Sequence, residues 1–99
     1  MTTAQPLHGK VAFVQGGSRG IGAAIVKRLA SEGAAVAFTY AASADRAEAV
    51  ASAVTAAGGK ALAIKADSAD AAALQQAVRQ AVSQFGNLDI LVKIGRASC

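Results

Sequence analysis

The sequence has little of the chemistry that metal sites, disulfide frameworks and membrane spans require. Its one cysteine is the last of 99 residues, and its one histidine, His8, has no second ligand or nucleophile near it in the chain. We therefore expect no metal site, no internal disulfide and a surface role for His8. No apolar run approaches the roughly 18 residues of a membrane span, and Met1 to Lys10 lacks the hydrophobic centre of a secretion signal. These absences predict a cytoplasmic protein without a membrane segment.

Aromatic residues are also scarce, at 4% of the chain, although hydrophobic residues make up 54%. Alanine supplies much of the difference, so the chain suits helices and a core of low volume, in at most one small domain. The formal charge of +4 comes from basic residues scattered between Lys10 and Arg96 without a run or stripe. Since nucleic-acid binding surfaces concentrate their positive charge, we expect no nucleic-acid partner.

A glycine-rich turn follows the first apolar run, Val11–Val14. Gly16, Gly20 and Gly22 stand where a chain that leaves a buried strand must turn sharply and begin a helix. The first turn of a helix has backbone N–H groups without intrahelical partners, and the helix dipole is positive there, so this turn favours a phosphate. The alternative is an ordinary loop between a strand and a helix.

Apolar runs alternate with helical periodicity along the whole chain. The predicted strands are Val11–Val14, Ala34–Thr39, Ala61–Lys65 and Leu88–Val92, and the predicted helices are Ile21–Ser31, Ala44–Ala57 and a third that begins at Ser68 or Asp70 and ends before Gly86. The sheet-facing residues are predicted to be Ile21, Ala24, Ile25 and Leu29 in the first helix and Leu74, Ala77, Val78, Ala81, Val82 and Phe85 in the third. This alternation predicts a doubly wound α/β fold with a parallel sheet in the strand order 3-2-1-4.

The turn Gly16-Gly17-Ser18-Arg19-Gly20-Ile21-Gly22 resembles the cofactor turn of the short-chain dehydrogenase/reductase family. The resemblance covers about Leu7 to Val92. Further pieces that carry it are Gly58-Gly59-Lys60-Ala61, Ala66-Asp67 and Leu88-Asp89-Ile90-Leu91-Val92. It implies a Rossmann-type sheet, here truncated to four strands and three helices, and hydride transfer between NAD(P)(H) and a carbonyl or alcohol in a homo-oligomeric parent enzyme. Within the family the motifs look most like those of 3-oxoacyl-[acyl-carrier-protein] reductases.

Nine residues are the candidate cofactor ligands. They are Gly16, Ser18, Arg19, Gly20, Ile21 and Gly22 in the turn, Tyr40 after strand two, and Asp67 and Ser68 after strand three. Dinucleotide folds often place an acid at the end of strand two to bind ribose hydroxyls, but Thr39 or Tyr40 stands there. Arg19 is thus free to pair with a 2′-phosphate, which favours NADP(H) over NAD(H). The alternative is that Arg19 is a solvated turn residue.

Asp67 has two possible roles. The resemblance implies that its carboxylate accepts a hydrogen bond from the adenine amino group. The alternative, compatible with the first, is that Asp67 caps the third helix.

Three departures from the family pattern limit what this chain can do. Gln15 replaces a threonine that helps to tie strand one to the turn after strand four. The catalytic serine and Tyr-x-x-x-Lys unit of the family are absent, because the only tyrosine is Tyr40 and Ala44 stands four residues later. We therefore expect no catalytic residue and no turnover in the 99-residue chain. The alternative functions are a non-catalytic nucleotide-binding or regulatory module and a basic interaction protein.

The third departure is the end of the chain. After Val92 the family continues with Asn-Asn-Ala-Gly, whereas this chain continues with Lys93 and Ile-Gly-Arg-Ala-Ser-Cys. That ending looks like one reading frame of a common sequencing-adapter oligonucleotide. We expect residues 1–92 to be the native part and residues 93–99 a non-native tail, the alternative being a natural divergent end.

Overall fold

The computed structural model describes residues 7–16, 20–41, 44–67 and 70–93. Its elements are β1 (Val11–Gln15), α1 (Gly20–Ser31), β2 (Ala35–Tyr40), α2 (Ala44–Ala56), β3 (Lys60–Lys65), α3 (Ala71–Phe85) and β4 (Ile90–Lys93). Each predicted element is present, with bounds that differ by one or two residues. Ser18, Arg19 and Ser68, together with the expected tail from residue 94 onward, lie outside the described residues.

The four strands in these ranges form one parallel sheet in the order β3-β2-β1-β4, which confirms the predicted fold and strand order. Val14 is paired with Phe38 of β2, and Phe13 with Leu91 of β4. Helices α1 and α2 pack on one face and α3 on the other, as right-handed crossovers require when the chain winds in two directions from β1.

The core consists of two layers separated by the sheet. Successive strand residues point to opposite faces, so Val14 and Phe38 pack under α1 and α2 whereas Phe13 and Ala37 pack under α3. Alanines dominate the second layer, which includes Ala66, Ala77 and Ala81. The low-volume core that the composition predicts is therefore present, and small residues allow α3 to lie close to the sheet.

The predicted inner face of α1 is partly wrong. Ile21 is 73% exposed and Ala24 is also exposed, whereas Val26 is completely buried; Ile25 and Leu29 are half-buried. Gly22 and Val26 are the buried residues of α1, so the helix faces the sheet through them and Ile21 points away from it. In α3, Val82 is also more exposed than predicted, at 38%.

The ends of α3 show which capping alternative holds. The carboxylate of Asp70 accepts a hydrogen bond from the backbone N–H of Ala73, so Asp70 is the N-cap, as one of the two predicted starts of the helix requires, and the alternative of Asp67 as the N-cap does not hold. At the other end Gly86 is left-handed and its N–H donates to the carbonyl of Val82. This cap ends α3 where Gly86 predicts that it should.

Candidate nucleotide-binding site

The carboxyl ends of the strands lie at one edge of the sheet. In the sheet, β2 and β3 lie on one side of β1, and β4 lies on its other side. In open α/β sheets a crevice forms outside the strand ends at such a switch point, because the helices that follow the flanking strands cover opposite faces. Gly16 directly follows β1 at this edge, and α1 begins there at Gly20.

Gly16 makes the turn at the end of β1. Its φ is +83°, a backbone conformation that favours glycine. Its N–H donates to Oγ1 of Thr39 on β2, with a nitrogen to oxygen distance of 2.9 Å. The amide of Gly16 is thus used within the protein, so Gly16 contributes a backbone conformation to this edge and no free N–H group.

The amino end of α1 fits an anion. Gly20 begins the helix with φ +61°, and no heavy atom lies within 4 Å of the place where a Cβ would stand. The backbone N–H groups in the first turn of a helix have no helical carbonyl one turn earlier to which they could donate. No acidic side chain lies in the first turn of α1, so none would compete with a phosphate there. Gly22 is buried, which lets the helix approach the sheet, while Ile21 offers an exposed apolar side chain beside the crevice.

Tyr40 and Asp67 are brought together at the ends of β2 and β3. The carbonyl of Tyr40 accepts a hydrogen bond of 2.8 Å from the N–H of Ala66, the residue before Asp67. Asp67 is exposed, and its carbonyl accepts from the N–H of Asp70 at 2.9 Å. The first acidic residue after β2 in the chain is Asp45. It lies in the first turn of α2, where its negative charge interacts favourably with the positive end of the helix dipole.

The structure therefore brings six of the predicted ligands to one edge of the sheet, among the residues that it describes. They are Gly16, Gly20, Ile21, Gly22, Tyr40 and Asp67. The sequence places Thr39 or Tyr40 at the end of strand two but does not predict the hydrogen bond between Thr39 and Gly16. The hydroxyl of Thr39, near the end of an otherwise apolar strand, is the feature of the sequence that indicates such a hydrogen bond.

A cleft of about 720 Å³ lies at the opposite, amino edge of the sheet and is not part of this site. His8, Lys10, Lys27 and Lys60 are among its lining residues. The carboxyl ends of the three described helices meet there, and basic side chains complement the negative ends of helix dipoles.

Within the described ranges, no group of three or more His, Cys, Asp or Glu side chains is placed to hold a metal ion. The helices in the same ranges are too short or too polar to span a membrane.

The chain matches the model of the short chain dehydrogenase family over residues 10–95. This chain belongs to that family. A short-chain dehydrogenase/reductase from Serratia marcescens BCRC 10948 is 94% identical, with a TM-score of 0.88 over 89% of this chain and 36% of that one. A short chain dehydrogenase from Burkholderia cenocepacia J2315 in complex with NADP is 59% identical, with a TM-score of 0.84 over 86% of this chain and 35% of that one.

Curated relatives of this short-chain dehydrogenase include the 3-oxoacyl-[acyl-carrier-protein] reductase of Staphylococcus aureus. It is 48% identical over 83 residues, which are 84% of this chain and 34% of the reductase. The chain spans about a third of the length of the curated relatives that it matches. The family resemblance of the glycine turn and strand pattern is thereby confirmed.

Proposed function

We propose that this chain is the amino-terminal, cofactor-binding part of a reductase that transfers hydride between NADP(H) and a carbonyl or alcohol. The observation that carries the proposal is the open amino end of α1, beginning at Gly20 beside the positive-φ turn of Gly16. The Burkholderia relative with bound NADP supports this choice of cofactor. The cofactor, when bound, supplies the hydride; the residues of this chain hold and orient it.

The proposed ligands divide by the part of the cofactor that they bind. The turn from Gly16 to Gly22, including Ser18, cradles the diphosphate, and the exposed side chain of Ile21 covers the cofactor at the crevice. Arg19 and Tyr40 bind the 2′-phosphate end. Asp67 accepts from the adenine amino group, and Ser68 lies next to it in the chain.

The substrate that we propose is a 3-oxoacyl thioester or a related small carbonyl compound. The 48% identity to the Staphylococcus aureus reductase supports this class. Since the serine and Tyr-x-x-x-Lys unit of the family are absent from the 99 residues, we propose that the chain by itself has no turnover. The longer reductase that contains it would be a homo-oligomer and act on small molecules in the cytoplasm.

The test compares NADPH and NADH binding by cofactor fluorescence in the longer reductase. We expect Arg19→Ala to weaken NADPH binding by roughly 10- to 100-fold, the range for a lost charge-assisted hydrogen bond, and to leave NADH binding within about twofold. Arg28→Ala is the matched control, because it removes the same charge at the far end of α1, where Arg28 pairs with Glu32. An equal loss for both cofactors would remove Arg19 from the 2′-phosphate role.

The second candidate is a non-catalytic nucleotide-binding or regulatory module, in which the open amino end of α1 holds a nucleotide without a reaction. It would bind the cofactors as above but would not oxidise NADPH with any 3-oxoacyl or ketone substrate. A basic interaction protein would respond to neither cofactor. Steady-state NADPH oxidation with the longer reductase separates the first two candidates, and the fluorescence titration identifies the third.

A further inference from the structure

Thr39 is the one buried polar side chain in the part of the chain that the structure describes, and its exposure is 0%. It stands near the end of β2, after the apolar residues Val36, Ala37 and Phe38. A hydroxyl costs free energy to bury in such surroundings unless it is hydrogen-bonded. Its partner is the N–H of Gly16, 2.9 Å away.

The hydrogen bond lies just beyond the region where backbone pairing joins β1 to β2. The last pair between these strands is Val14 with Phe38, and Gly16 already belongs to the turn. The side chain of Thr39 therefore holds a residue that the strand backbone no longer holds. This hydrogen bond ties Gly16 to the neighbouring strand β2.

We propose that Thr39 is a positioning residue for the dinucleotide cofactor. Its hydroxyl fixes the first glycine of the turn and directs that amide away from the ligand, and so sets where the chain leaves the sheet before α1 begins at Gly20. A glycine that is already held in position before binding spares the cofactor that part of the ordering cost. This inference rests on the proposed function, since it requires that the turn holds a cofactor.

A positioning role and a purely structural role of Thr39 predict different effects on cofactor affinity. A residue that only stabilises the fold would change the melting temperature and leave the affinity of the folded protein unchanged. A residue that orders the turn changes the affinity for every cofactor that places a diphosphate there. NADPH and NADH share the diphosphate, so both should lose affinity by the same factor, unlike the selective loss expected for Arg19→Ala.

The experiment measures NADPH and NADH dissociation constants by fluorescence for Thr39→Val and Thr39→Ser in the longer reductase, well below their melting temperatures. Valine keeps the shape of the side chain but removes the acceptor. We expect Thr39→Val to weaken both cofactors by roughly 5- to 50-fold, the scale of a buried donor left without an acceptor. Thr39→Ser keeps the hydroxyl and should bind both cofactors within about threefold of the wild type.

Val36→Ala is the matched control, because it loses buried contacts on the same strand without touching the turn. If Thr39→Val is destabilised as this control is but binds both cofactors with wild-type affinity, the positioning role is refuted. If the wild type binds neither cofactor, the proposed function falls and this inference falls with it. The two failures are therefore distinguishable.

Hydrogen exchange of the wild-type protein gives a second test, which does not depend on the folding of a variant. The Gly16 amide should be protected in the absence of cofactor, since its acceptor is Thr39 rather than the ligand. Protection that develops only after NADPH is added would overturn the proposal.

Discussion

Two adjacent glycines show how different physical reasons can require the same residue type. At Gly59 a Cβ would stand 2.9 Å from Cγ1 of Val54 and 3.3 Å from its carbonyl oxygen. At Gly58 a Cβ would meet nothing within 4 Å, but φ is +93°. Gly59 is therefore required for space and Gly58 for backbone conformation.

Substitutions at these glycines should separate the two reasons. We expect Gly59→Ala to lower the free energy of unfolding by about 1–3 kcal/mol, because Val54 is buried and branched and cannot easily move. Gly58→Ala should cost about 1–2 kcal/mol. Asparagine tolerates a left-handed backbone, so Gly58→Asn should cost less than Gly58→Ala, whereas Gly59→Asn should cost more than Gly59→Ala. Urea denaturation measures all four; the same order at both positions would contradict this explanation.

At the scale of the elements, β4 is the shortest strand described and depends on a side chain that precedes it. The Asp89 carboxylate accepts from the N–H of Val11 at 2.9 Å, and the Asp89 N–H donates to the Val11 carbonyl at 2.8 Å. The side-chain amide of Asn87 donates to both carboxylate oxygens. Asp89 thus fixes the amino end of β4 against β1.

Removal of this carboxylate should loosen β4. We expect Asp89→Ala to cost about 1–3 kcal/mol, since the Val11 N–H loses its acceptor. Asp89→Asn retains one acceptor oxygen and should recover part of the loss. Thermal unfolding followed by circular dichroism measures the stability, and hydrogen exchange of β4 identifies the element affected. Faster exchange only in α2 or β3 would assign the loss to another part of the fold.

At the scale of the molecule, β4 is an edge of the described sheet and pairs only with β1 there. Leu91 of β4 is 54% exposed. An unpaired edge with exposed apolar side chains is a template for pairing with another chain.

The 99-residue polypeptide should therefore self-associate as its concentration rises. Leu91→Lys places a charge on the edge and should shift the population towards monomer in sedimentation velocity. Ile21→Lys is the matched control, because Ile21 is even more exposed but lies on α1, and it should leave the association unchanged. A wild-type chain that remains monomeric at every concentration would refute this prediction.

Much of the fold could be predicted because its signals are local. Apolar runs and helical spacing predict the strands and helices to within a residue or two, and the right-handed crossover then allows the order β3-β2-β1-β4. Gly33 and Gly86 likewise mark the ends of α1 and α3. Both have positive φ angles, which glycine adopts at no steric cost. The glycine turn and Asp67 were located for the same reason, since each directly follows a predicted strand.

The sequence alone determined the class of fold, the strand order and the edge at which the proposed phosphate ligands lie, since these follow from periodicity and chain direction. Only the tertiary structure decided which side chains brace the two ends of the strands. Thr39 meets Gly16 across 23 residues at the carboxyl end of β1, Asp89 meets Val11 across 78 at its amino end, and Ile21 is exposed although its spacing predicts a sheet-facing residue. The physical reason is that a local pattern specifies an element, whereas a hydrogen bond or an exposed face depends on where distant elements come to lie.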